Sequence, residues 1–309
     1  VGDSGIAAPL ISHWASIIAR GVVVPGPTGS ASESPGRRAL RFLIWSAWVS
    51  RAAAEMRSGV TAPQVTRALA SQQAGFPTNG EFEAYLHANG ETVADAKLEL
   101  RGTLAAAAVA RAGLAGAPAV GQVEAVSYYR HHKDAFINDE TRSFEIVNAL
   151  PFRAARRLLQ HDRQGRTFSG RVLHESLTHE HMLHAEPLKR AIERAIFKAK
   201  LNSPGGPVKL FTGYSIFVVR RITPRTLKPF AAVRAQVEAK LRRERRALAL
   251  SQAAGRLVAT SKANTSCDPA YVIDMCKQSA AAPNVEQPLA KAPAAAEVIA
   301  GASSAAQAG

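Results

Sequence analysis

Aromatic residues make up only 6% of this 309-residue chain, and there are just two cysteines. The scarcity of rings weakens any reading as a binder of single-stranded nucleic acid, which stacks its bases on aromatic faces. Cys267 and Cys276 are too few for a zinc ribbon, and their spacing is not that of a CxxC redox site. They leave two readings: a short disulfide loop formed in an oxidising compartment, or a pair of free thiols. Closing a loop of that size would stabilise the fold by about 2.5–3 kcal/mol on the chain-entropy view. No apolar run reaches the length of a membrane span; the longest candidate, Leu40 to Val49, is broken by Arg41. The G-x-x-x-x-G-K-[ST] and G-x-G-x-x-G loops that cradle phosphates are missing, as is a G-x-S-x-G nucleophile elbow. Neither ATP nor any other cofactor is expected.

Acidic residues are also scarce. Twenty-four Asp and Glu stand against 39 Lys and Arg, for a formal charge of +15. The excess is concentrated between Arg220 and Lys262, where twelve basic residues face two acids. Such a stripe attracts phosphates, an anionic surface or acidic chains, or serves simply as a solvated helix face. A second polar concentration, His174, His179, His181 and His184 with Glu175 and Glu180, contains zinc-ligand types. Its spacings do not set two ligands on one helical turn as HExxH does, so a solvated polar loop is expected and no metal site.

The abundant element is alanine on helical periods. Val1–Arg20 carries Ile6, Leu10, Trp14, Ile17 and Ile18 as one stripe, and a Gly/Pro/Ser tract, 26–36, reads as a flexible loop. Arg37–Arg57 is amphipathic through Leu40, Leu43, Ile44, Ala47 and Trp48. Capping boxes at Thr61/Gln64, Thr78/Glu81 and Thr92/Asp95 start helices over about 62–74, 79–88 and 92–111. After another helix near 121–132 the period changes. Phe144, Ile146 and Asn148 alternate with Ser143, Glu145 and Val147, as in a strand. Helices follow at 152–160 and 187–200, separated by an aperiodic stretch, 167–186. Val208–Leu210 and Tyr214–Ile222 read as a hairpin. Helix returns after Pro224, with Phe230, Val233, Val237, Leu241 and Leu248 as its apolar stripe; from Ala280 the Ala/Pro/Ser composition predicts disorder.

Several segments resemble the actinobacterial members of the PrsA/SurA-like foldases. These are Val1-Gly2-Asp3 with Ile6 and His13-Trp14; Phe76-Pro77 with Phe82, Leu86 and Gly90-Glu91-Thr92; Tyr128-Tyr129 with Phe136, Glu140 and Arg142; and Gly165 with Phe168. Ala195 with Phe197, Gly206-Pro207-Val208, Gly213-Tyr214 and the Cys267–Cys276 tail continue the likeness, which spans about 1–277. The resemblance implies a mainly α fold: a SurA/trigger-factor-like helical chaperone domain with an inserted small α+β parvulin-like domain. It places the chaperone domain at 1–135 and 225–265, the insert at 136–224, and a Cys-containing and then disordered tail at 266–309. It also implies a peptidyl-prolyl cis-trans isomerase-like folding factor outside the cytoplasm, secreted or attached to the cell surface, whose leader is not in the sequence as given.

Parvulins carry two histidines beside an apolar proline pocket. By resemblance the histidine positions fall on Glu145 and Ser215, both substituted, and the pocket on Phe197, Ile192, Leu188 and Ile216. The expected partners are unfolded or proline-containing polypeptides, bound with weak or lost isomerase activity. An anionic surface could meet the basic C-terminal helix. The alternative is a basic helical protein that binds nucleic acid through the Arg220–Lys262 stripe.

Overall fold

A computed structural model describes residues 5–30, 32–162, 172–179 and 187–305. The chain divides into two compact units, the first discontinuous: Val1–Ala119 with Leu241–Gly309, and Val120–Lys240.

In the first unit, α1 (Ala8–Ala19) buries Ile11, Trp14, Ile17 and Ile18, one face of a 3.6-residue period on which Ile11 takes the place expected of Leu10, itself 40% exposed. Next, α2 (Pro35–Glu55) starts at a proline just inside the helix, where a missing N–H costs nothing. Around it the core gathers all three tryptophans, Trp14, Trp45 and Trp48. Trp48 Nε1 donates to Thr265 Oγ1 at 2.8 Å, so its polar edge is satisfied inside that core. Then come α3 (Ala62–Gln73), α4 (Asn79–Asn89) and α5 (Val93–Ala115). Thr61 N–H donates to the Gln64 side chain, Thr78 Oγ1 accepts from Glu81 N–H, and Thr92 and Asp95 form a reciprocal box. All three predicted helix starts are thus capped, the boxes expected at Thr61 and Thr92 being reciprocal and the one at Thr78 forming only its threonine half.

The Gly/Pro/Ser tract is tied down rather than loose. Gly26, at φ 131°, lies so close to Trp45 that a Cβ would stand 2.7 Å from its ring. Glu33 in the same tract pairs with Arg41 at 2.7 Å.

The second unit opens with α6 (Gln122–His131) and a 3-10 turn, Lys133–Phe136. Strand β1 (Ile137–Asn138) pairs antiparallel with β6 (Thr226–Leu227). Between them lie β2 (Thr141–Leu150), α7 (Phe152–Asp162), β3 (Leu173–Thr178), α8 (Pro187–Lys198), β4 (Pro204–Leu210) and β5 (Gly213–Thr223). The four longer strands form an antiparallel sheet in the order β3-β2-β5-β4. One face buries Phe144, Ile146, Phe217 and Val219 under Ile192 and Ile196 of α8; the other buries Val147 and Ile216 under Ala155 and Leu159 of α7. Strand alternation sorts these residues, since successive side chains point to opposite faces.

The long helix α9 (Phe230–Ala263) belongs to the second unit up to Lys240 and to the first from Leu241. The chain thus divides at 119/120 and 240/241 rather than at 135/136 and 224/225. The reason is local: the Tyr129 ring packs on Phe136 and Phe230, and its hydroxyl donates to the Lys228 carbonyl at 2.6 Å.

Three further expectations from the sequence fail here. Leu248 is 60% exposed, because the buried positions of α9 in the first unit are Leu241, Ala249, Ala253, Ala254 and Leu257. Small residues allow close approach there: a Cβ on Gly113 of α5 would stand 2.7 Å from that of Ala253. The tail after Ala280 is not structureless, since α10 (Glu286–Ala305) follows. It buries Leu289, Ala292 and Ala296, with Val285 just before it, in the first unit's core. Its alanine-rich composition concealed this helical spacing. Finally, β3 emerges from the stretch read as aperiodic; Leu173 and Leu177 pack on the sheet core, but Glu175 interrupts the apolar alternation between them.

Cys267 and Cys276 are joined as a disulfide with a Cα separation of 5.7 Å. The closed loop inserts Ile273 and Met275 into the first core and brings Asp274 to Arg41. No helix among the described residues is long and apolar enough to cross a membrane.

Candidate functional site

On the α8 face of the second unit, β2, β3 and α8 bound a groove of about 480 Å³. Its floor is apolar: Phe144 and Ile146 from β2, Leu177 from β3, Ile192 and Ile196 from α8, and Leu210 from β4. Polar groups stand around it, with Asn148, Glu175, Ser176, Thr178, Lys189 and Glu193. A concave apolar surface with a few directional polar groups is the usual form of a binding site.

Arg142 fixes the end of α8 against the sheet. Its Nη1 donates to the carbonyls of Ile196 and Ala199 at 2.8 and 2.7 Å, and its Nε to Glu140 at 2.6 Å. A cation bonded to the last carbonyls of a helix satisfies groups that no backbone partner reaches and complements the helix dipole. Arg142→Ala is therefore expected to destabilise the second unit by about 2–3 kcal/mol. Amide hydrogen exchange should locate the loss at the C-terminal turn of α8, and unchanged protection there would contradict this role.

Residues 120–235 match the family model of the PPIC-type PPIase domain. The chain carries a PPIC-type PPIase domain. The solved structures to which the chain is similar include one of the SurA-like chaperone pair PEB4 and Cj1289 from Campylobacter jejuni. It is 13% identical, with 69% of this chain and 92% of that one covered, at a TM-score of 0.45. PrsA of Bacillus cereus is 17% identical over 79% of this chain and 88% of its own, at a TM-score of 0.27. PrsA of Bacillus subtilis is 13% identical, covering 79% and 90%, also at 0.27. None of the curated proteins matches the chain.

Within the PPIC-type domain, the structure separates the two positions that the resemblance assigns to histidines. Glu145 pairs across the strands with Val218, and Val147 with Ile216, so Glu145 lies on the α7 face. There its Oε2 accepts from Nε and Nη2 of Arg220 at 3.0 and 2.8 Å, and His174 Nδ1 stands 3.8 Å from its Oε1. Ser215 is three residues from Val218 and faces the α8 side with Phe217. It is fully buried and donates to Asn148 Oδ1 at 2.7 Å. Asn148, not Glu145, is therefore the β2 residue that meets Ser215. The alternation of Phe144, Ile146 and Asn148 against Glu145 was the signal that could have found it.

The apolar positions divide as well. Ile192 lines the groove. Ile216 does not; it is buried on the opposite face under α7. Phe197 is not among the groove's lining residues, and its ring stands 5.2 Å from His179, edge-on, and 5.3 Å from the Arg142 guanidinium. Leu188 falls within α8, but its side chain lies outside the described residues. Phe144, Ile146, Leu177, Ile196 and Leu210 line the groove without having been pocket candidates in the sequence.

His181, His184 and Glu180 lie outside the described residues. Of the described members of that group, His174 faces Glu145 and His179 faces Phe197. The basic stripe is divided between the two units, and several of its cations are engaged within the fold. Arg220 holds Glu145, Arg234 holds Glu238 at 2.7 Å, Arg245 donates to the carbonyls of Pro118 and Ala119, and Lys262 donates to that of Ala281.

Proposed function

We propose that this chain is a protein-folding factor of extracytoplasmic compartments that holds unfolded, proline-containing polypeptide in the groove of its PPIC-type domain, with isomerase activity weak or lost. The observation that carries the reading is the groove itself: an apolar floor of Phe144, Ile146, Ile192 and Ile196 in a domain of this family, with Ser215 and Asn148 hydrogen-bonded to each other at its edge. Rotation about a peptide bond crosses a barrier of about 18–20 kcal/mol, set by lost amide resonance. An isomerase lowers it by binding the twisted amide more tightly than the planar one, which needs an apolar seat for the ring and polar groups placed for the altered carbonyl. The seat is supplied here. The polar part is depleted, because the Ser215 hydroxyl proton is already given to Asn148 and Glu145 is turned to the other face, held by Arg220. The disulfide loop supports an oxidising compartment.

A protease-coupled prolyl assay, run beside suppression of aggregation of an unfolding model protein, tests the proposal. Turnover at or near background together with effective suppression is expected. Ile192→Asp, which sets a charge on the groove floor, should abolish most of the suppression. Turnover equal to that of an intact parvulin would contradict the depleted chemistry. Suppression untouched by Ile192→Asp in a folded variant would contradict the groove.

A further inference from the structure

The far face of the same domain carries a second surface that the groove does not use. Phe211, in the turn between β4 and β5, is 89% exposed, and Phe152, at the start of α7, is 46% exposed. The Phe152 ring packs on Tyr214 at 5.0 Å, and Tyr214 pairs across the strands with Lys209. Arg156 stands 5.8 Å from the centre of the Phe152 ring, and Arg153 and Arg157 are exposed on the same helix. No acidic residue occurs in Phe152–His161, in β4, in the turn or in β5. Glu145, from the neighbouring strand, is committed to Arg220. Four cations, Arg153, Arg156, Arg157 and Lys209, thus stand on the elements that carry these rings, against one acid, Asp162 at the last position of α7, whose side chain lies outside the described residues.

We infer that this surface docks acidic, ring-bearing polypeptide segments as a second contact for clients, on the sheet face opposite the groove. The inference rests on the folding-factor reading above. Its chemistry is direct: guanidinium groups form paired hydrogen bonds with carboxylates, and exposed Phe faces take up aromatic or proline rings. A contiguous apolar patch rimmed by one sign of charge marks an interaction surface, and complementary charge selects its partner. An acidic peptide meets both conditions, and its length suits a patch built from two helical turns and a hairpin end.

The test uses the full chain and fluorescence anisotropy with three short labelled peptides. One carries Glu with Phe and Pro, one replaces each Glu by Lys, and one is neutral and Pro-bearing. The acidic peptide should bind more tightly than its Lys counterpart and lose affinity as salt rises. Arg153→Gln with Arg156→Gln and Arg157→Gln should weaken the acidic peptide roughly tenfold, the sum of three exposed charge contacts, and leave the neutral peptide unchanged. Phe211→Ala should weaken the acidic peptide without altering its salt dependence. All these positions are exposed, and unchanged far-UV circular dichroism would verify the fold. Equal affinity for the acidic and Lys peptides, or no effect of the triple change, overturns the inference while binding of the neutral peptide upholds the groove. Binding of none of the three overturns both. Tighter binding to phosphatidylglycerol vesicles or an oligonucleotide than to the acidic peptide, lost in the triple variant, overturns it in favour of a different partner.

Discussion

Arg41→Met should cost the first unit about 3–5 kcal/mol, read as a lower urea midpoint by tryptophan fluorescence. The probe is specific, because all three tryptophans lie in that unit's core. Arg41 is almost wholly buried on α2 between Glu33, at 2.7 Å, and Asp274 of the disulfide loop. Burial alone would lower its pKa, but hydrogen bonds and charge from the two carboxylates outweigh this and hold it above its ordinary value. Removing the cation leaves two carboxylates facing each other in a space with little water. The cost arises from those uncompensated charges more than from the lost attraction. Accordingly Glu33→Gln with Asp274→Asn, added to Arg41→Met, should restore much of the loss. A change in midpoint corresponding to less than about 1 kcal/mol would place Arg41 among ordinary surface charges.

Glu99→Gln should remove most of the pH dependence of stability between mildly acidic and mildly alkaline conditions. Glu99 lies on α5, and its pKa is pushed from an ordinary 4.5 to about 8, first by burial and then by Glu91 and Asp95. The folded state therefore holds a proton that the unfolded chain has released. Stability should be fullest below about pH 4.5 and should fall as pH rises toward 8, at up to about 1.4 kcal/mol per unit. Glu91 is shifted upward too, by burial and by Asp95, and acts in the same direction. Asp95 works in the opposite sense: burial would raise its pKa, but bonds from Thr92 and His13 lower it below 3.8. Its contribution is present above that value and is lost only as pH falls through the lowered one, outside the Glu99 window. Urea midpoints across the range check this; parallel wild-type and Glu99→Gln curves would contradict it.

Much of the helical architecture is legible without coordinates, because local rules and packing agree. The caps at Thr61, Thr78 and Thr92 and the positions of Trp14, Ile17 and Ile18 each follow from a few neighbouring residues, although Ile11 rather than the expected Leu10 completes the α1 stripe. Where an element depends on distant partners, reading fails. Leu248 continues an apparent stripe, but Gly113 and Ala253 set a closer helix contact that turns another row of α9 inward. In the tail, helix α10 exists because Leu289 and Ala296 find the first unit's core, which alanine-rich composition does not announce. The site shows the same division. Ile192 is reached through the resemblance, whereas the pairing of Asn148 with Ser215 requires knowing the register of β2 on β5, including the irregularity after Val147. Glu145 lies in β2 and Ser215 in β5. Alternation then sends them to opposite faces, so the two substituted positions are not neighbours in a common site.

The groove can be tested by isoleucine-methyl NMR of the full chain, titrated with a soluble proline-containing peptide. Ile146, Ile192 and Ile196 line the groove, while Ile216 lies beneath α7 on the other side of the sheet. Resonance shifts confined to the first three are expected. Shifts centred on Ile216, or none at saturating peptide, would contradict polypeptide binding at this site.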